Sequence, residues 1–242
     1  MAGVAGTLHL GTSGFAYDAW MHGVFYPEQV KAAGRLAHYA SVFNSVEINC
    51  TFRRFPSDKL LNGWRGQVPD GLRFALKANQ RITHLRRLAG AGEDVRSFVE
   101  RAGLLGERLG PVLFQCPPSL RYDASLIGEF VDTVPPGVLA AMEFRHPSWT
   151  AARDLLDSHA VAWCVAETDE HDPAPDEMAW RPFGYLRLRR AAYSDAELAE
   201  WAKRIGAALA GGADLWCYFK HEDAGAGPRM ARRLGELVQS GA

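Results

Sequence analysis

The sequence lacks the features that define several large classes of protein. No apolar run approaches the roughly 20 residues that a membrane-spanning helix needs, so we expect no contact with a membrane. The net charge is only -1, from 27 Lys and Arg against 28 Asp and Glu, which excludes a protein that coats nucleic acid through bulk charge. Low-complexity tracts and repeats of roughly 20–50 residues are also missing, which excludes a solenoid.

Cysteine is scarce and shows no metal-binding spacing. Cys50, Cys116, Cys164 and Cys217 form neither a CxxC nor a CxxH motif. The first residues, Met1–His9, lack the basic head and apolar body of a signal peptide. We therefore expect a cytoplasmic protein with free thiols that pack as small, buried apolar side chains.

Short apolar runs alternate with amphipathic stretches along all 242 residues, which predicts repeated strand–helix units. The eight predicted strands are Leu8–Gly11, Val46–Asn49, Leu72–Lys77, Val112–Gln115, Leu139–Arg145, Val161–Ala166, Phe183–Leu188 and Leu215–Phe219. Eight parallel strands in this length favour an α/β fold of the TIM type, a (β/α)8 barrel that spans residues 1–242 as a single domain. The alternative, an open doubly wound sheet, usually carries a GxGxxG motif, and the GTSG at 11–14 does not match it.

Several helices are predicted from apolar periodicity and capping residues. The patterns place helices at Arg35–Phe43, Glu93–Leu109 and Ser194–Leu209. Ser194 begins a capping box that Glu197 completes. A further helix is expected to start near Ser148, with that residue as its N-cap.

Alternation along each strand predicts which side chains face the barrel interior. Apolar side chains such as Val46 and Ile48 are expected to face the helices, and their neighbours the interior. The expected inward residues are Glu47, Asn49, Ala75, Lys77, Gln115, Glu143, Arg145, Tyr185, Arg187, Trp216, Tyr218 and Lys220. Many are polar and lie near the carboxyl ends of the strands, where barrel enzymes build their sites.

The charged members of this set are expected to form an anion-attracting mouth. Two carboxylates meet four cations, a local excess of about +2, in a chain whose net charge is -1. Such an excess suits a ligand with phosphate or carboxylate groups. The alternative is an internal ion-pair network with a purely structural role.

Several motifs together resemble one family. They are GTSGF at 11–15, FYP at 25–27, FNSVEINCTF at 43–52, RFALKA at 73–78, RITH at 81–84, FQCPPS at 114–119, EFRHPSW at 143–149, YLR at 185–187 and YFKH at 218–221. This set is similar to the YecE-like family, the domain of unknown function numbered 72, across nearly the whole chain. The resemblance implies a TIM-type barrel and no established reaction. Two positions depart from the common family pattern, in which Leu is usual at Cys116 and Phe-Asn-Asn is frequent where Phe219, Lys220 and His221 stand.

Glu47, Glu143 and Lys77 are the candidate catalytic residues. The two carboxylates would serve as acid/base or ligand-orienting groups, and Glu47 is the favoured base. Lys77 is the expected cationic partner of Glu47, and Arg145 or Arg187 that of Glu143. Such pairing keeps a carboxyl pKa low and makes a poor acid. Lys77 could form a Schiff base only with a lowered pKa, and Glu47 nearby is expected to raise it, so anion binding is favoured.

Further residues are candidate ligand contacts. Thr12 and Ser13 follow the first strand and could offer hydroxyl and N–H groups to an anion, although a plain turn fits equally. Tyr218, like Tyr185, could stack on a base or sugar, or simply pack in the core. The complete set of candidate ligand-binding residues is Thr12, Ser13, Asn49, Gln115, Arg145, His146, Arg187, Tyr218, Lys220 and His221.

No cofactor is predicted, and a divalent metal stays open. The candidate ligands Glu47, Glu143, His146, His221 and Glu222 show no HxH or HExxH spacing, and the neighbouring cations would repel a metal ion.

The sequence therefore predicts an enzyme that takes a small anionic, sugar-like or nucleotide-like ligand at the barrel mouth, with a reaction class that stays open between hydrolase, lyase and isomerase. One alternative is a nucleic-acid binder or nuclease that uses the basic loop Arg81, Arg86 and Arg87. The other is a regulatory protein without catalysis. The oligomeric state is not predicted.

Overall fold

The computed structural model describes residues 5–173, 178, 180–220 and 225–241. Eight parallel strands form one sheet in the order β1-β8-β7-β6-β5-β4-β3-β2. The strands are β1 (Leu8–Thr12), β2 (Ser45–Ile48), β3 (Arg73–Lys77), β4 (Leu109–Gln115), β5 (Ala140–Glu143), β6 (Val161–Glu167), β7 (Gly184–Leu188) and β8 (Leu215–Phe219). The predicted (β/α)8 barrel is confirmed, and each predicted run overlaps one of these strands.

Helices connect the strands on the outside of the barrel. The α-helices are α1 (Arg35–Ala40), α2 (Cys50–Arg53), α3 (Asp58–Gln67), α4 (Gly92–Ala102), α5 (Ala124–Val131), α6 (Arg153–Ser158), α7 (Asp195–Ala210) and α8 (Ala226–Ser240). Short 3-10 segments lie at Asp18–Trp20, Ala32–Gly34, Gly103–Arg108 and Pro147–Ala152, and a π-helical turn lies at Arg81–Leu85.

Side chains help to close the barrel between β1 and β2. Asn44 accepts a hydrogen bond from the Leu10 N–H and donates one to the Leu8 carbonyl oxygen, both at 2.8 Å. The Tyr39 hydroxyl accepts from the Thr12 N–H at 2.7 Å. These side chains therefore satisfy backbone groups that a neighbouring strand satisfies elsewhere in the sheet.

Direct backbone contact between β1 and β2 occurs at the carboxyl end of this seam. Ser13 forms a single parallel bridge with Glu47, and the Gly14 N–H donates to the Glu47 carbonyl oxygen at 2.7 Å. Lower down, β1 passes so close to Ser45 that a Cβ at Gly11 would lie 1.8 Å from the Ser45 carbonyl oxygen. Gly11 is required here because of this close approach.

The two faces of the strands follow the predicted parity. Apolar residues of one parity, including Val46, Ile48 and Phe114, belong to the large core that the helices cover. Residues of the opposite parity form a second, separate buried cluster inside the barrel, made of Ala75, Leu113, Ala141, Ala162, Cys164, Phe183, Tyr185, Trp216 and Tyr218. The interior below the mouth is therefore packed and largely apolar.

An aromatic stack fills the barrel near the amino ends of the strands. His9 lies parallel to Trp216, with ring centroids 3.8 Å apart. A Cβ at Gly110 would lie 2.6 Å from the Trp216 ring, so β4, on another side of the barrel, also packs against this stack. Burial lowers the pKa of His9 to about 4, so the ring is neutral at neutral pH.

Two predicted helix boundaries are wrong, and each error has a local cause. The helix expected to continue to Leu109 ends as α4 at Ala102, and a 3-10 segment follows in which Gly106 has a φ of 59°. Leu109 already belongs to β4. The helix expected at Ser148 starts earlier, with Pro147 in its first turn and His146 as the N-cap.

The α7 capping box is confirmed, because Ser194 and Glu197 exchange both hydrogen bonds. All four cysteines are free, as predicted, but Cys50 is exposed rather than buried. Within the part of the chain that the structure describes, no helix is long and apolar enough to cross a membrane.

Candidate functional site

One buried guanidinium joins the two predicted carboxylates at the carboxyl end of the barrel. Arg187 donates from Nη2 to Glu47 Oε1 at 2.9 Å and from Nη1 to Glu143 Oε2. All three side chains are at most 3% exposed. The strands β2, β5 and β7 thus deliver one cation and two anions to one point, as the inward parity of all three residues predicts.

Glu47 is enclosed by protein donors. Ser13 donates from its hydroxyl to Oε1 at 2.6 Å, and Tyr185 donates to Oε2 at 2.8 Å. Burial alone would raise the pKa of Glu47, but the Arg187 charge and these hydrogen bonds outweigh it and hold the pKa below its ordinary value. Glu47 is therefore ionised and fully buried, and it does not line the cavity described below, so this arrangement makes it a counter-charge that positions Arg187.

Glu143 faces more cations than Glu47 does. Besides Arg187, Arg145 Nε donates to Glu143 Oε1 at 2.9 Å, and Arg189 Nη1 lies 3.8 Å from the same oxygen. Burial raises the pKa of Glu143, whereas the three guanidinium groups lower it further, to about 2. The predicted pairing of Glu143 with Arg145 and Arg187 is confirmed, and the side chain is ionised at neutral pH.

Lys77 differs from its prediction in both its partner and its pKa. Arg187 replaces Lys77 as the partner of Glu47. Among the residues described here, no carboxylate lies within 4 Å of Lys77 Nζ, which instead lies 4.0 Å from the centroid of the Phe52 ring. Burial, then the Arg187 charge, lowers the pKa of Lys77 to about 8, because both outweigh the attraction of Glu143 and Glu47. The expectation of a raised pKa is therefore wrong.

A cavity of about 580 Å³ opens at the ends of β5, β6 and β7. Its lining combines charged and polar side chains with aromatic and apolar ones. The lining residues are Glu143, Phe144, Arg145, His146, Pro147, Thr150, Trp163, Cys164, Ala166, Thr168, Glu170, His171 and Arg189. Arg145, whose side chain is 34% exposed, gives the cavity a solvent-accessible cation.

A family profile matches almost the whole chain. The family described as protein of unknown function DUF72 matches residues 9–242. The chain belongs to the DUF72 family. None of the curated proteins compared with it matches.

Solved structures share the fold of this DUF72 protein. A DUF72 family protein from Thermotoga maritima MSB8 is 23% identical with a TM-score of 0.82, over 96% of this chain and 99% of that one. Another from Enterococcus faecalis V583 is 15% identical with a TM-score of 0.74, over 98% and 99%. D-psicose 3-epimerase with D-tagatose, from Clostridium cellulolyticum H10, is 12% identical with a TM-score of 0.53, over 96% of each chain. At these identities the likeness shows the fold alone.

The predicted anion-binding turn of the DUF72 protein is already occupied by internal hydrogen bonds. The Thr12 hydroxyl donates to the Gly14 carbonyl oxygen at 2.7 Å, and the Ser13 N–H donates to the Phe219 carbonyl oxygen at 2.8 Å. The Ser13 hydroxyl binds Glu47. In this structure the turn supports the carboxylate through these internal hydrogen bonds, and contact of Thr12 and Ser13 with an anion stays a prediction.

Asn49 and Tyr218 also hold the interior together. Asn49 Nδ2 lies 3.3 Å from Glu47 Oε1, as a weak donor to the carboxylate. Tyr218 is fully buried, and its hydroxyl lies 2.6 Å from Ser45 Oγ. Its ring centroid is 5.5 Å from that of Tyr185, so it packs in the core, as the alternative to ligand stacking predicted.

The remaining predicted ligand contacts lie at strand ends. Gln115 ends β4, pairs in register with Glu143 and is 5% exposed. Lys220 follows β8, and its N–H donates to the Leu188 carbonyl oxygen at 3.0 Å. His221 lies outside the described residues, so its predicted role stays a prediction.

His146 lines the cavity in a defined orientation. Its Nδ1 accepts from the Ser148 N–H at 3.2 Å and lies 2.8 Å from the Ser148 hydroxyl oxygen. A neutral His146 ring therefore carries its proton on Nε2. This hydrogen bond fixes the ring as a cap and a wall of the cavity.

A metal site receives no support from the described residues of the DUF72 protein. Across residues 5–173, 178, 180–220 and 225–241, no group of three or more His, Cys, Asp and Glu side chains converges. Arg187 lies between Glu47 and Glu143, and a cation in this position opposes metal binding there.

The positive charge of the basic loop after β3 is partly neutralised by the Asp94 carboxylate. Arg81 Nε lies 3.1 Å from Asp94, and Arg86 also contacts this carboxylate. Arg87 donates to the Ser119 hydroxyl at 3.0 Å and to its carbonyl oxygen at 2.9 Å. The loop therefore offers less positive charge to nucleic acid than its sequence predicts.

The sequence reasoning missed three side chains at the mouth. Arg189 has the same parity as Arg187, so extending the alternation one residue past the predicted strand would have found it. Phe52 and Trp163 carried no such signal, because one lies on α2 and the other has outward parity. Only the folded structure brings Phe52 to Lys77 and Trp163 to the cavity.

Proposed function

We propose that this DUF72 protein is an enzyme that binds a small molecule with a phosphate or carboxylate group at the barrel mouth. The observation that carries the proposal is an excess of positive charge among the buried and half-buried groups that the structure describes at the mouth. Four cations, Lys77, Arg145, Arg187 and Arg189, accompany two carboxylates, Glu47 and Glu143. An anionic ligand would bring this group close to neutrality.

The cations most available to a ligand are those outside the central bridge. Arg187 is committed to Glu47 and Glu143 on both of its terminal nitrogens. Burial and the Arg187 charge lower the pKa values of both Lys77 and Arg189, so each cation is held in unfavourable surroundings. A bound anion would relieve this repulsion, which is a favourable contribution to binding.

The shape of the cavity supports a ligand with more than an anionic group. Phe144 and Trp163, whose ring centroids are 5.0 Å apart, line the cavity together with Arg145 and Arg189. An aromatic lining suits a sugar ring or a base, because aromatic faces pack well against both. The volume of about 580 Å³ lies within the range of ligand pockets, roughly 300–1,000 Å³.

Calorimetric titration with inorganic phosphate tests this proposal. We expect the wild type to bind, and Arg145→Met to weaken binding by about tenfold or more, since a charge-assisted hydrogen bond contributes about 1.5–3 kcal/mol. Arg233→Met is the matched control, because Arg233 is an exposed residue paired with Asp195 on the outer helices. Equal affinity in both variants, or no binding by the wild type, would contradict the proposal.

Proton uptake gives a second readout of the same titration. A bound anion raises the pKa of Lys77, so at pH 8 a fraction of the amine gains a proton. Titrations in buffers of different ionisation enthalpy measure this uptake. We expect uptake in the wild type and none in Lys77→Met.

A further inference from the structure

The surroundings of Lys77 differ from those of the other charged groups at the mouth. Arg187, Glu47 and Glu143 are buried and bound to one another. Lys77 is only half-buried, and within the described chain its amine has no carboxylate within 4 Å. The Lys77 amine instead lies over the face of the Phe52 ring, 4.0 Å from its centroid. The amine is therefore reachable and is not engaged in an ion pair with the described residues.

The backbone around Lys77 is held firmly in place. The Thr51 hydroxyl donates to the Lys77 carbonyl oxygen at 2.6 Å, and Asn79 donates to the Thr51 carbonyl oxygen at 3.0 Å. These bonds tie α2, which carries Phe52, to the end of β3. A rigid strand end is a suitable base for a reactive side chain.

The amine is also chemically prepared for nucleophilic attack. With a pKa of about 8, about half of the Lys77 amine is neutral at pH 8, whereas at the ordinary value of 10.5 the neutral fraction is roughly 0.3%. Only the neutral form has a free lone pair. Lys77 therefore offers about a hundredfold more nucleophile than an exposed lysine.

An imidazole also stands beside the same aromatic ring. The His84 ring meets Phe52 edge to face, with centroids 4.9 Å apart. Burial, followed by the charges of Lys77 and Arg145, lowers the pKa of His84, so its imidazole is neutral at neutral pH. A neutral imidazole both accepts and donates protons, which carbonyl addition and dehydration require.

We propose that Lys77 is a nucleophile that condenses with the aldehyde or ketone group of an anionic carbonyl compound, such as a 2-oxo acid, to form an imine. This inference rests on the proposed function, because the cations of the mouth hold the carboxylate or phosphate of the same substrate. Of the three cations paired with Glu143, Arg145 has the most exposed side chain and is therefore the most accessible to this carboxylate or phosphate.

The step balances without any oxidant or reductant. The Lys77 lone pair forms a bond to the carbonyl carbon, and the C=O π pair moves to the oxygen, which takes up a proton. The nitrogen of the resulting adduct loses one proton, which gives a neutral carbinolamine. The hydroxyl group then takes up a second proton and leaves as water while the nitrogen lone pair forms the C=N bond, and the iminium nitrogen finally loses its remaining proton. His84 is placed to carry these protons. The products are one imine and one water molecule.

Reductive trapping tests this inference. The protein is incubated with glyoxylate, a small 2-oxo acid, and sodium cyanoborohydride at pH 7.5, and peptide mass spectrometry measures the carboxymethyl adduct at each lysine. We expect Lys77 to be modified at least tenfold faster than Lys31, Lys59 and Lys203, which are exposed. Modification of Lys77 at the rate of these exposed lysines would overturn the proposal.

A neutral aldehyde and the Arg145→Met variant together distinguish the reactivity of the Lys77 amine from the contribution of the anion site. Acetaldehyde reacts without help from a cation, so we expect Arg145→Met to slow trapping at Lys77 by glyoxylate but not by acetaldehyde. Inorganic phosphate should protect Lys77 from glyoxylate. Slow trapping of Lys77 by both aldehydes, together with normal phosphate binding in the calorimeter, would refute the imine and leave the proposed anion site intact. An absence of phosphate binding would contradict the proposed function itself.

Discussion

Replacing Arg187 by Met removes the one guanidinium that two buried carboxylates share. Glu47 and Glu143 are both at most 1% exposed, so neither can be rehydrated without local opening. Removal of one partner from a buried ion pair destabilises a protein by about 3–5 kcal/mol. Glu143 retains Arg145 at 2.9 Å, whereas Glu47 retains only neutral donors. We therefore expect a loss of about 3–5 kcal/mol that arises mainly at Glu47.

The pH dependence of this loss has a definite sign. In the wild type the pKa of Glu143 is about 2, below its ordinary 4.5, so its contribution is complete above pH 4.5 and is lost as pH falls towards 2. The difference corresponds to about 3 kcal/mol. In Arg187→Met, burial no longer has a charge to offset it at Glu47, so the pKa of Glu47 rises above its ordinary value. Protonation then stabilises the variant as pH falls from 7.5 towards 5.5.

Urea denaturation at pH 7.5 and pH 5.5 measures both effects. The difference in unfolding free energy between wild type and Arg187→Met should narrow at the lower pH. Arg233→Met is the control, because the Arg233 side chain is 43% exposed and solvent screens its pairs with Asp195 and Glu236. Combining Glu47→Gln with Arg187→Met should recover part of the stability, since the amide carries no charge.

Two results would refute this reasoning. A loss below about 1 kcal/mol in Arg187→Met would mean that the carboxylates do not depend on the shared cation. A difference from the wild type that stays constant between pH 7.5 and 5.5 would mean that Glu47 does not become protonated.

Two further predictions concern the barrel walls. Gly11→Ala places a Cβ 1.8 Å from the Ser45 carbonyl oxygen, so we expect the unfolding free energy measured by urea denaturation to fall by about 3 kcal/mol. Gly66→Ala in α3 is the control: no atom lies within 4 Å of its new Cβ, so its unfolding free energy should rise by up to about 1 kcal/mol. Similar effects in both variants would contradict the close approach of β1 to Ser45. His9→Phe keeps an aromatic ring on Trp216 but removes the titrating group. We expect the unfolding free energy of the wild type to decrease as pH falls from 6.5 to about 4, because His9 must then become protonated, and we expect this decrease to be smaller in the variant. An equal decrease in both proteins would contradict the assignment to His9.

Alternation along single strands predicted much of this architecture. A strand with one apolar face has only one orientation that buries that face, so Glu47, Glu143 and Arg187 had to point inward together. Parity does not predict which inward charge meets which, because this depends on the stagger of strands around the barrel. For that reason Lys77, rather than Arg187, was expected to pair with Glu47.

The direction of the Lys77 pKa shift could not be predicted from the sequence either. Its prediction counted one nearby carboxylate and omitted burial and the Arg187 charge, which are properties of the assembled mouth. The hydrogen bonds of Thr12 and Ser13 were missed for a related reason, since they arise where β1 meets residues some 30 positions away. Tertiary contacts therefore decide the chemistry of residues whose positions the pattern already indicates.

The His9 and Trp216 stack limits the routes by which a small molecule can reach the barrel mouth. Above these rings the interior is filled by side chains such as Tyr185 and Tyr218, both fully buried, up to the level of Arg187. Any small molecule that binds at the mouth therefore enters and leaves by that end of the barrel. Departure of one molecule thus precedes arrival of the next, and residues around that single entrance govern both rates.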